Sequence, residues 1–199
     1  DSARSREAML EACSDRLASP QYAWWIPGRI EVLGKHTDYA GGRSLLCATD
    51  IGIVCVASPR ADSVLDIKDV RSGEEETFDL KADLQTATGD WTNYPRTAGR
   101  RLWQNFGALR GANVAFTSDL PLAAGMSSSS ALIVAFSLVL MRLNDLSQTD
   151  TYRENIASHE DLAGYLGTVE NGKTFGTLAG DAGVGTFGGS EDHTAILCS

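Results

Sequence analysis

The spacing of hydrophobic and polar positions is typical of β-strands over much of the first half of the chain and typical of helices in the last part. Between residues 22 and 80, apolar residues stand in short runs or at every second position, which is typical of β-strands. The predicted strands cover 22–26, 30–33, 45–58, 64–70 and 76–80, with a short one at 113–116. Because most of these segments follow one another along the chain, we expect them to pair into a sheet.

Helical spacing of the apolar residues predicts the remaining elements. A short amphipathic helix is expected over 5–18 and a second helix over 91–106, where Pro95 falls in the first turn and is tolerated. Residues 131–143 are apolar all round, which is typical of a buried helix, and 149–170 predict a more exposed one. A sheet followed by helices, with only partial alternation of strand and helix, indicates an α+β domain and not a doubly wound one.

Composition and charge exclude several classes of protein. Of the 199 residues, 26 are acidic and 17 basic, which gives a formal net charge of −9, and 43% are hydrophobic. This composition is globular, and its acidity argues against nucleic acid or an anionic membrane as a partner, since both attract basic surfaces. The longest apolar stretch, at 131–141, has 11 residues and is too short to cross a bilayer.

The four cysteines favour neither a metal site nor disulfides. Cys13, Cys47, Cys55 and Cys198 have no CxxC or Cys/His spacing, and Cys47 and Cys55 stand inside apolar, strand-like runs. We therefore expect buried free thiols, as in a cytoplasmic protein.

A run of four serines precedes the predicted buried helix. The segment Gly-Met-Ser-Ser-Ser-Ser at 125–130 offers small residues and free backbone N–H groups at a helix start, which favour anion binding. Hydroxyl groups there can also ligate Mg²⁺ or hydrogen-bond phosphate oxygens. Simple N-capping is the alternative, although it needs only one serine. The segment itself does not match GxxxxGK[ST], so it is not a Walker loop.

A second concentration of polar side chains lies at 27–42, where the sequence is PGRIEVLGKHTDYAGG. Strand residues run there into a short loop that presents Lys, His, Thr, Asp and Tyr between glycines. Such side chains could bind a ligand with many hydroxyl groups, and a charged surface turn is the alternative.

Both segments resemble motifs of one family. Residues 27–42 look like the galactokinase signature, whose usual form is PGRVNLIGEHTDYNGG, and 121–131 resemble the second motif of the GHMP small-molecule kinase superfamily. Asp-Trp-Thr-Asn-Tyr at 90–94 is similar to the W-x-N-Y stretch that galactokinases carry between those motifs. Glu170 and the segment Gly-Gly-Ser-Glu-Asp-His at 188–193 are similar to the family's acidic metal position and its G-x-x-D-Q segment.

The resemblance implies the N-terminal domain of the GHMP kinase fold, which is like domain 2 of ribosomal protein S5 and packs a mixed sheet on helices. Residues 1–199 would form this one domain, and the C-terminal domain of the same protein would lie beyond them. The implied function is ATP-dependent phosphorylation of the anomeric hydroxyl of galactose or a related hexose. A non-catalytic sugar or nucleotide sensor is the alternative, and we expect the 199 residues alone to be inactive.

The resemblance also implies roles for individual residues, by their position in the motifs. Asp192 would accept or orient the proton of the attacking hydroxyl, and Arg29 would offset phosphoryl charge and favour the ionised form of Asp192. Ser129 and Glu170 would hold Mg²⁺. The residues implied in ATP binding are Gly125, Met126, Ser127, Ser128, Ser129 and Trp91. The residues implied in sugar binding are Lys35, His36, Asp38, Gly189 and Asp192.

Three single positions depart from the galactokinase pattern. Lys35 replaces the glutamate that contacts the C6 end of the sugar in galactokinases. It would either pair with the carboxylate of a hexuronic acid or turn to solvent beside a neutral hexose. Glu191 and His193 replace Met and Gln on either side of Asp192, and we expect the added carboxylate to raise the pKa of Asp192.

The segment 171–189 is a further departure, because galactokinases place fewer residues between the corresponding acidic positions. Nine of the 20 glycines lie between Gly164 and Gly189. The GxGxxG match at 183–188 lacks the preceding strand that a dinucleotide-binding unit needs. A mobile glycine-rich flap beside the sugar pocket and a flexible surface loop remain as the two interpretations.

Overall fold

The computed structural model describes residues 2–34, 41–86, 90–121, 125–185 and 188–199 and confirms the α+β class. The strands in these ranges are β1 (Tyr22–Leu33), β2 (Leu45–Pro59), β3 (Val64–Asp69), β4 (Glu75–Asp79) and β5 (Ala112–Ser118). The helices are α1 (Ser2–Ser14), α2 (Asn93–Phe106), α3 (Ser128–Leu143), α4 (Asp150–Asn155), α5 (His159–Asn171) and α6 (Glu191–Leu197). None of these helices is both long and apolar enough to cross a membrane.

The described strands form one mixed sheet in the order β1-β2-β5-β3-β4. Neighbouring strands are antiparallel except β3 and β5, which run parallel. A parallel pair needs a long connection, and here the chain passes through β4 and α2 between the two strands. The predicted strands at 22–26 and 30–33 form the single strand β1, whose register against β2 shifts around Gly28.

Alternating residues of β2 lie on opposite faces of the sheet. Ile53 and Cys55 belong to the large core between the sheet and the helices α2, α3, α5 and α6, whereas Val54 and Val56 lie in a small cluster with α1. Helix α3 is buried along nearly its whole length, as its sequence predicts, and packs against both α2 and α5. The sheet therefore holds α1 on one face and the main helical layer on the other.

Two predictions about elements are wrong. The helix predicted at 149–170 is interrupted: Ile156 is extended, and Ser158 starts α5 with a capping box that includes Asp161. Helix α5 is also more buried than expected, because Tyr165 and its neighbours on one face enter the core.

The expectation of four buried thiols is also wrong, since Cys47 and Cys198 are exposed and only Cys13 and Cys55 are buried. Cys47 lies in the first half of β2, which pairs with β1 alone, whereas β5 pairs with β2 only from Ile53 onward. The burial pattern of β2 follows this division, with continuous burial only in its second half.

Candidate functional site

Arg29, Asp192 and Ser127 form the centre of the candidate site. The Nε atom of Arg29 donates to Oδ1 of Asp192 at 2.5 Å, and the Ser127 hydroxyl donates to Oδ2 at 2.5 Å. Arg29 Nη1 also donates to the carbonyl oxygen of Gly125 at 2.6 Å. These bonds join β1, the loop before α3 and the first turn of α6, although the sequence separates Arg29 from Asp192 by 163 positions.

Two special backbone positions support this centre. Gly28 lies at the irregularity in β1, and a Cβ atom there would come within 2.5 Å of Leu120 Cδ2, so a larger residue does not fit without movement. Ser127, the N-cap residue of α3, has φ 53° and ψ 46°, which is the left-handed region that serine rarely adopts. Its hydroxyl binds Asp192 and does not cap α3.

The electrostatic environment keeps Asp192 ionised. Burial raises the pKa of this carboxyl group, but the hydrogen bonds from Arg29 and Ser127 and the positive charge of Arg29 outweigh burial and hold the pKa below its usual range. The net direction is thus opposite to the rise in the pKa of Asp192 that was expected beside Glu191.

A second cluster surrounds Glu170 at the end of α5. The Ser130 hydroxyl donates to Glu170 Oε2 at 2.7 Å, and the nearby Ser129 hydroxyl helps to lower the pKa of this carboxyl group. Nε2 of the buried His193 lies 3.1 Å from the same oxygen, without a well-aligned hydrogen bond to it. Burial raises the pKa of Glu170, whereas His193 and the serine hydroxyls lower it, and the net direction is downward.

The oxygen atoms around Glu170 are suitable ligands for Mg²⁺. Ser129 and Glu170 offer a hydroxyl and a carboxylate oxygen, which are hard ligands of the kind that Mg²⁺ prefers. No group of three or more His, Cys, Asp or Glu side chains with a geometry for metal binding occurs in the described ranges. Two protein ligands suit an ion that keeps its other positions for water and phosphate oxygens.

A cleft of about 740 Å³ opens beside the start of α3. Trp91 and Ser128, both predicted to bind ATP, lie in its wall together with Val184. Trp91 packs against Phe116 with ring centroids 5.3 Å apart, and its indole N–H donates to Glu74 at 2.6 Å. A cleft lined by both an aromatic side chain and a helix start suits a ligand with a flat apolar part and an anionic part.

The other predicted residues fall into two groups. Gly125 and Met126 lie beside Arg29, since the carbonyl oxygen of Met126 accepts from the Arg29 backbone N–H at 3.4 Å. Gly189 lies just before α6, close to the Asp192 end of the site. Three predicted sugar-binding residues lie outside the described residues, namely Lys35, His36 and Asp38.

Sequence reasoning missed several contributors to this region. Ser130 and His193, both in contact with Glu170, were not assigned a role. Asp181, in the glycine-rich segment, pairs with Arg100 at 2.7 Å, and nothing in their sequence separation of 81 positions indicates this contact. The mobile flap stays a prediction, and the contact of Asp181 with Arg100 would have to break for the whole segment to open.

Comparisons with known proteins show which families this chain resembles. The family model "Galactokinase galactose-binding signature" matches residues 16–59, and the family model "GHMP kinases N terminal domain" matches residues 93–189. Together the two models match well over half of the chain. A galactokinase of Actinobacillus pleuropneumoniae serotype 5b is 34% identical over 123 residues, which are 61% of this chain and 32% of that protein. The chain thus spans about a third of the length of such curated relatives.

Solved structures share the fold. The crystal structure of Lactococcus lactis galactokinase complexed with galactose matches with a TM-score of 0.72 and 23% identity, over 96% of this chain and 46% of that chain. Streptococcus pneumoniae phosphomevalonate kinase in complex with phosphomevalonate and AMPPNP matches with a TM-score of 0.58 and 16% identity, over 89% of this chain and 47% of that chain. At these identities the likeness shows the fold.

Proposed function

Because the chain belongs to the GHMP kinase superfamily and is galactokinase-like, we propose that the whole protein is a sugar kinase. It transfers a phosphoryl group from ATP to the anomeric hydroxyl of galactose or a related hexose. The observation that carries this proposal is the Arg29–Asp192 ion pair, which lies against the serine-rich start of α3. A galactokinase relative with 34% identity supports the sugar as the acceptor.

Phosphoryl transfer needs positioning and charge neutralisation more than covalent chemistry. Asp192 is held as a carboxylate, so it can accept a hydrogen bond from the attacking hydroxyl and take up its proton. Arg29 Nε is committed to Asp192 and Nη1 to Gly125, so the guanidinium lies at a fixed place beside the loop that precedes α3. There its charge would offset the charge of the transferred group.

We place the nucleotide in the cleft beside α3. Trp91 would pack on the base, and Ser128 with the free N–H groups at the start of α3 would bind phosphate oxygens. Ser129 and Glu170 would hold Mg²⁺, which supplies charge neutralisation for the phosphates. The formal net charge of −9 makes such local positive features necessary, because the overall field repels ATP.

We propose that Lys35, His36 and Asp38 determine which sugar the protein accepts. A hexuronic acid would pair its carboxylate with Lys35, whereas a neutral hexose would leave that cation in water. We propose that the substrate is galactose or a related hexose. If Lys35 contacts the sugar, the preferred hexose would be a hexuronic acid.

A coupled assay of ADP release by the full-length protein tests the proposal. Galactose, glucose, galacturonate and glucuronate are compared at equal concentration with ATP and Mg²⁺. Release of ADP that requires one of these sugars, with a phosphate on its anomeric oxygen, supports the kinase. Faster ADP release with galacturonate or glucuronate than with the neutral sugars, lost in Lys35→Glu, supports pairing of Lys35 with the sugar carboxylate. Sugar or nucleotide binding without any ADP release contradicts the kinase and supports a sensor. We expect the 199-residue chain alone to be inactive in the same assay.

A further inference from the structure

Two arginines and one aspartate form a buried ionic cluster outside the proposed reaction centre. Arg100 Nε donates to Oδ2 of Asp181 at 2.7 Å, and Arg101 Nη1 donates to Oδ1 at 3.4 Å. The side chains of Arg100, Arg101 and Asp181 are 10%, 0% and 9% exposed, respectively. Burying three charged groups is unfavourable unless each is fully paired, so such a cluster constrains its surroundings.

The two guanidinium groups hold backbone as well as Asp181. Arg100 donates to the carbonyl oxygens of Leu84 at 3.2 Å and Gly183 at 3.1 Å. Arg101 donates to the carbonyl oxygen of Lys173 at 2.6 Å. The cluster therefore holds the glycine-rich segment against α2 at Lys173, Asp181 and Gly183.

Close backbone packing explains three of the glycines of this segment, namely Gly172, Gly180 and Gly183. A Cβ atom on Gly180 would lie 2.4 Å from the carbonyl oxygen of Gly172, and one on Gly183 would lie 2.4 Å from the carbonyl oxygen of Glu170. Gly172 and Gly183 also have φ of 82° and 56°, in the left-handed region. Side chains are excluded at these positions, so the glycines here serve close packing.

The clamped segment forms one wall of the cleft. Val184 and Gly185 line the cleft directly after Gly183. The N–H of Val184 donates to the carbonyl oxygen of Glu170 at 2.9 Å, and Asn93 Nδ2 donates to the carbonyl oxygen of Val184 at 3.4 Å. A displacement of Asp181 would therefore move the wall that faces Trp91.

We propose that Arg100, Arg101 and Asp181 are positioning residues for nucleotide binding, because they hold Val184 and Gly185 as a fixed wall of the cleft. The inference rests on the proposed function, which places ATP in that cleft. None of the three residues lines the cleft, and their effect would pass through the backbone of 183–185. If these residues only stabilised the fold, their replacement would weaken the binding of every ligand through unfolding. If they position the wall of the cleft, their replacement weakens nucleotide binding selectively.

Nucleotide and sugar affinities of the full-length protein separate these roles. Arg100→Lys keeps the charge opposite Asp181 but cannot make all three guanidinium bonds, so it is the mild variant. Asp181→Asn is the stronger variant. Asp62→Asn is the control, because it breaks an ion pair with Arg60 on the surface.

Arg100→Lys should bind a non-hydrolysable ATP analogue about 10-fold more weakly, the low end of the loss seen when residues that orient metal ligands are replaced, and Asp181→Asn should lose at least as much. Their sugar affinity and that of Asp62→Asn should stay within twofold of the unaltered protein. Hydrogen exchange of the Val184 amide should accelerate in the two cluster variants. Equal loss of both ligands, or unchanged nucleotide affinity in a folded Arg100→Lys protein, overturns the inference. Failure of the unaltered protein to bind nucleotide contradicts the proposed function itself and removes the inference with it.

Discussion

Replacement of Asp192 by asparagine tests the centre of the site with almost no change in side-chain volume. The carboxylate now accepts two hydrogen bonds of 2.5 Å, one on each oxygen, from Arg29 and Ser127. An asparagine offers only one oxygen, so at least one of these donors faces an NH₂ group and loses its acceptor. The variant also removes the only charge that opposes Arg29 within hydrogen-bond distance among the described residues.

These changes set the expected magnitudes. Loss of a general base lowers kcat by about 10²–10⁴-fold. Loss of the charged partner of the buried Arg29 lowers the free energy of unfolding by about 3–5 kcal/mol, which most domains tolerate. Asp192→Asn should thus be folded and bind nucleotide, but release ADP at least about 100-fold more slowly.

The assay measures kcat and KM from ADP release by the full-length protein, with urea unfolding of each variant in parallel. Asp161→Asn is the matched control, because Asp161 also lies in the first turn of a helix and accepts two backbone hydrogen bonds. It lies at the other end of α5 from Glu170. The assignment of Asp192 as the base is refuted if the folded Asp192→Asn protein keeps kcat within tenfold of the unaltered protein.

Three further predictions concern the fold. Gly183→Ala should lower the free energy of unfolding by about 2–4 kcal/mol, because it adds both a clash and an unfavourable φ. Gly73 has a positive φ but open space around it, so Gly73→Ala should lower the free energy of unfolding by only about 1 kcal/mol. Equal urea midpoints for the two variants would contradict this. Because the pKa of Asp192 is lowered by folding, its ionisation stabilises the protein at neutral pH, and this stability is lost as the pH falls below about 4. The urea midpoint of Asp192→Asn should therefore fall less on acidification, and parallel curves would argue against the ion pair. A thiol reagent should label the exposed Cys47 and Cys198 in the native protein but Cys13 and Cys55 only after unfolding, since burial raises the pKa of Cys13 to about 12 and that of Cys55 further still.

The elements were predictable where one periodicity extends over a whole segment. Helix α3 is apolar on every side and is buried nearly throughout. The break between α4 and α5 was missed because the apolar spacing continues through it. A local signal was nevertheless present, since Ser158 and Asp161 have the spacing of a capping box.

For the site, motif position was enough to indicate Arg29 and Asp192, and the structure pairs them. Motif position was not enough to distinguish the roles of the four consecutive serines. Ser127 binds Asp192, Ser128 lines the cleft, and Ser130 binds Glu170. Those differences arise from the left-handed backbone at Ser127 followed by helical rotation, neither of which the serine run itself indicates.

The glycine-rich segment shows why composition alone could not decide its role. A glycine is equally compatible with a mobile loop and with a backbone packed too tightly for any side chain. What distinguishes the two is the contact that a Cβ atom would make, and at Gly183 that contact is the carbonyl oxygen of Glu170 at 2.4 Å. The partner that fixes the segment, Arg100, is one of 17 basic residues, and sequence alone cannot choose among them. The N–H of Val184 donates to the carbonyl oxygen of Glu170, which is a proposed Mg²⁺ ligand. Changes in the segment should therefore alter nucleotide binding before they alter the Arg29–Asp192 pair.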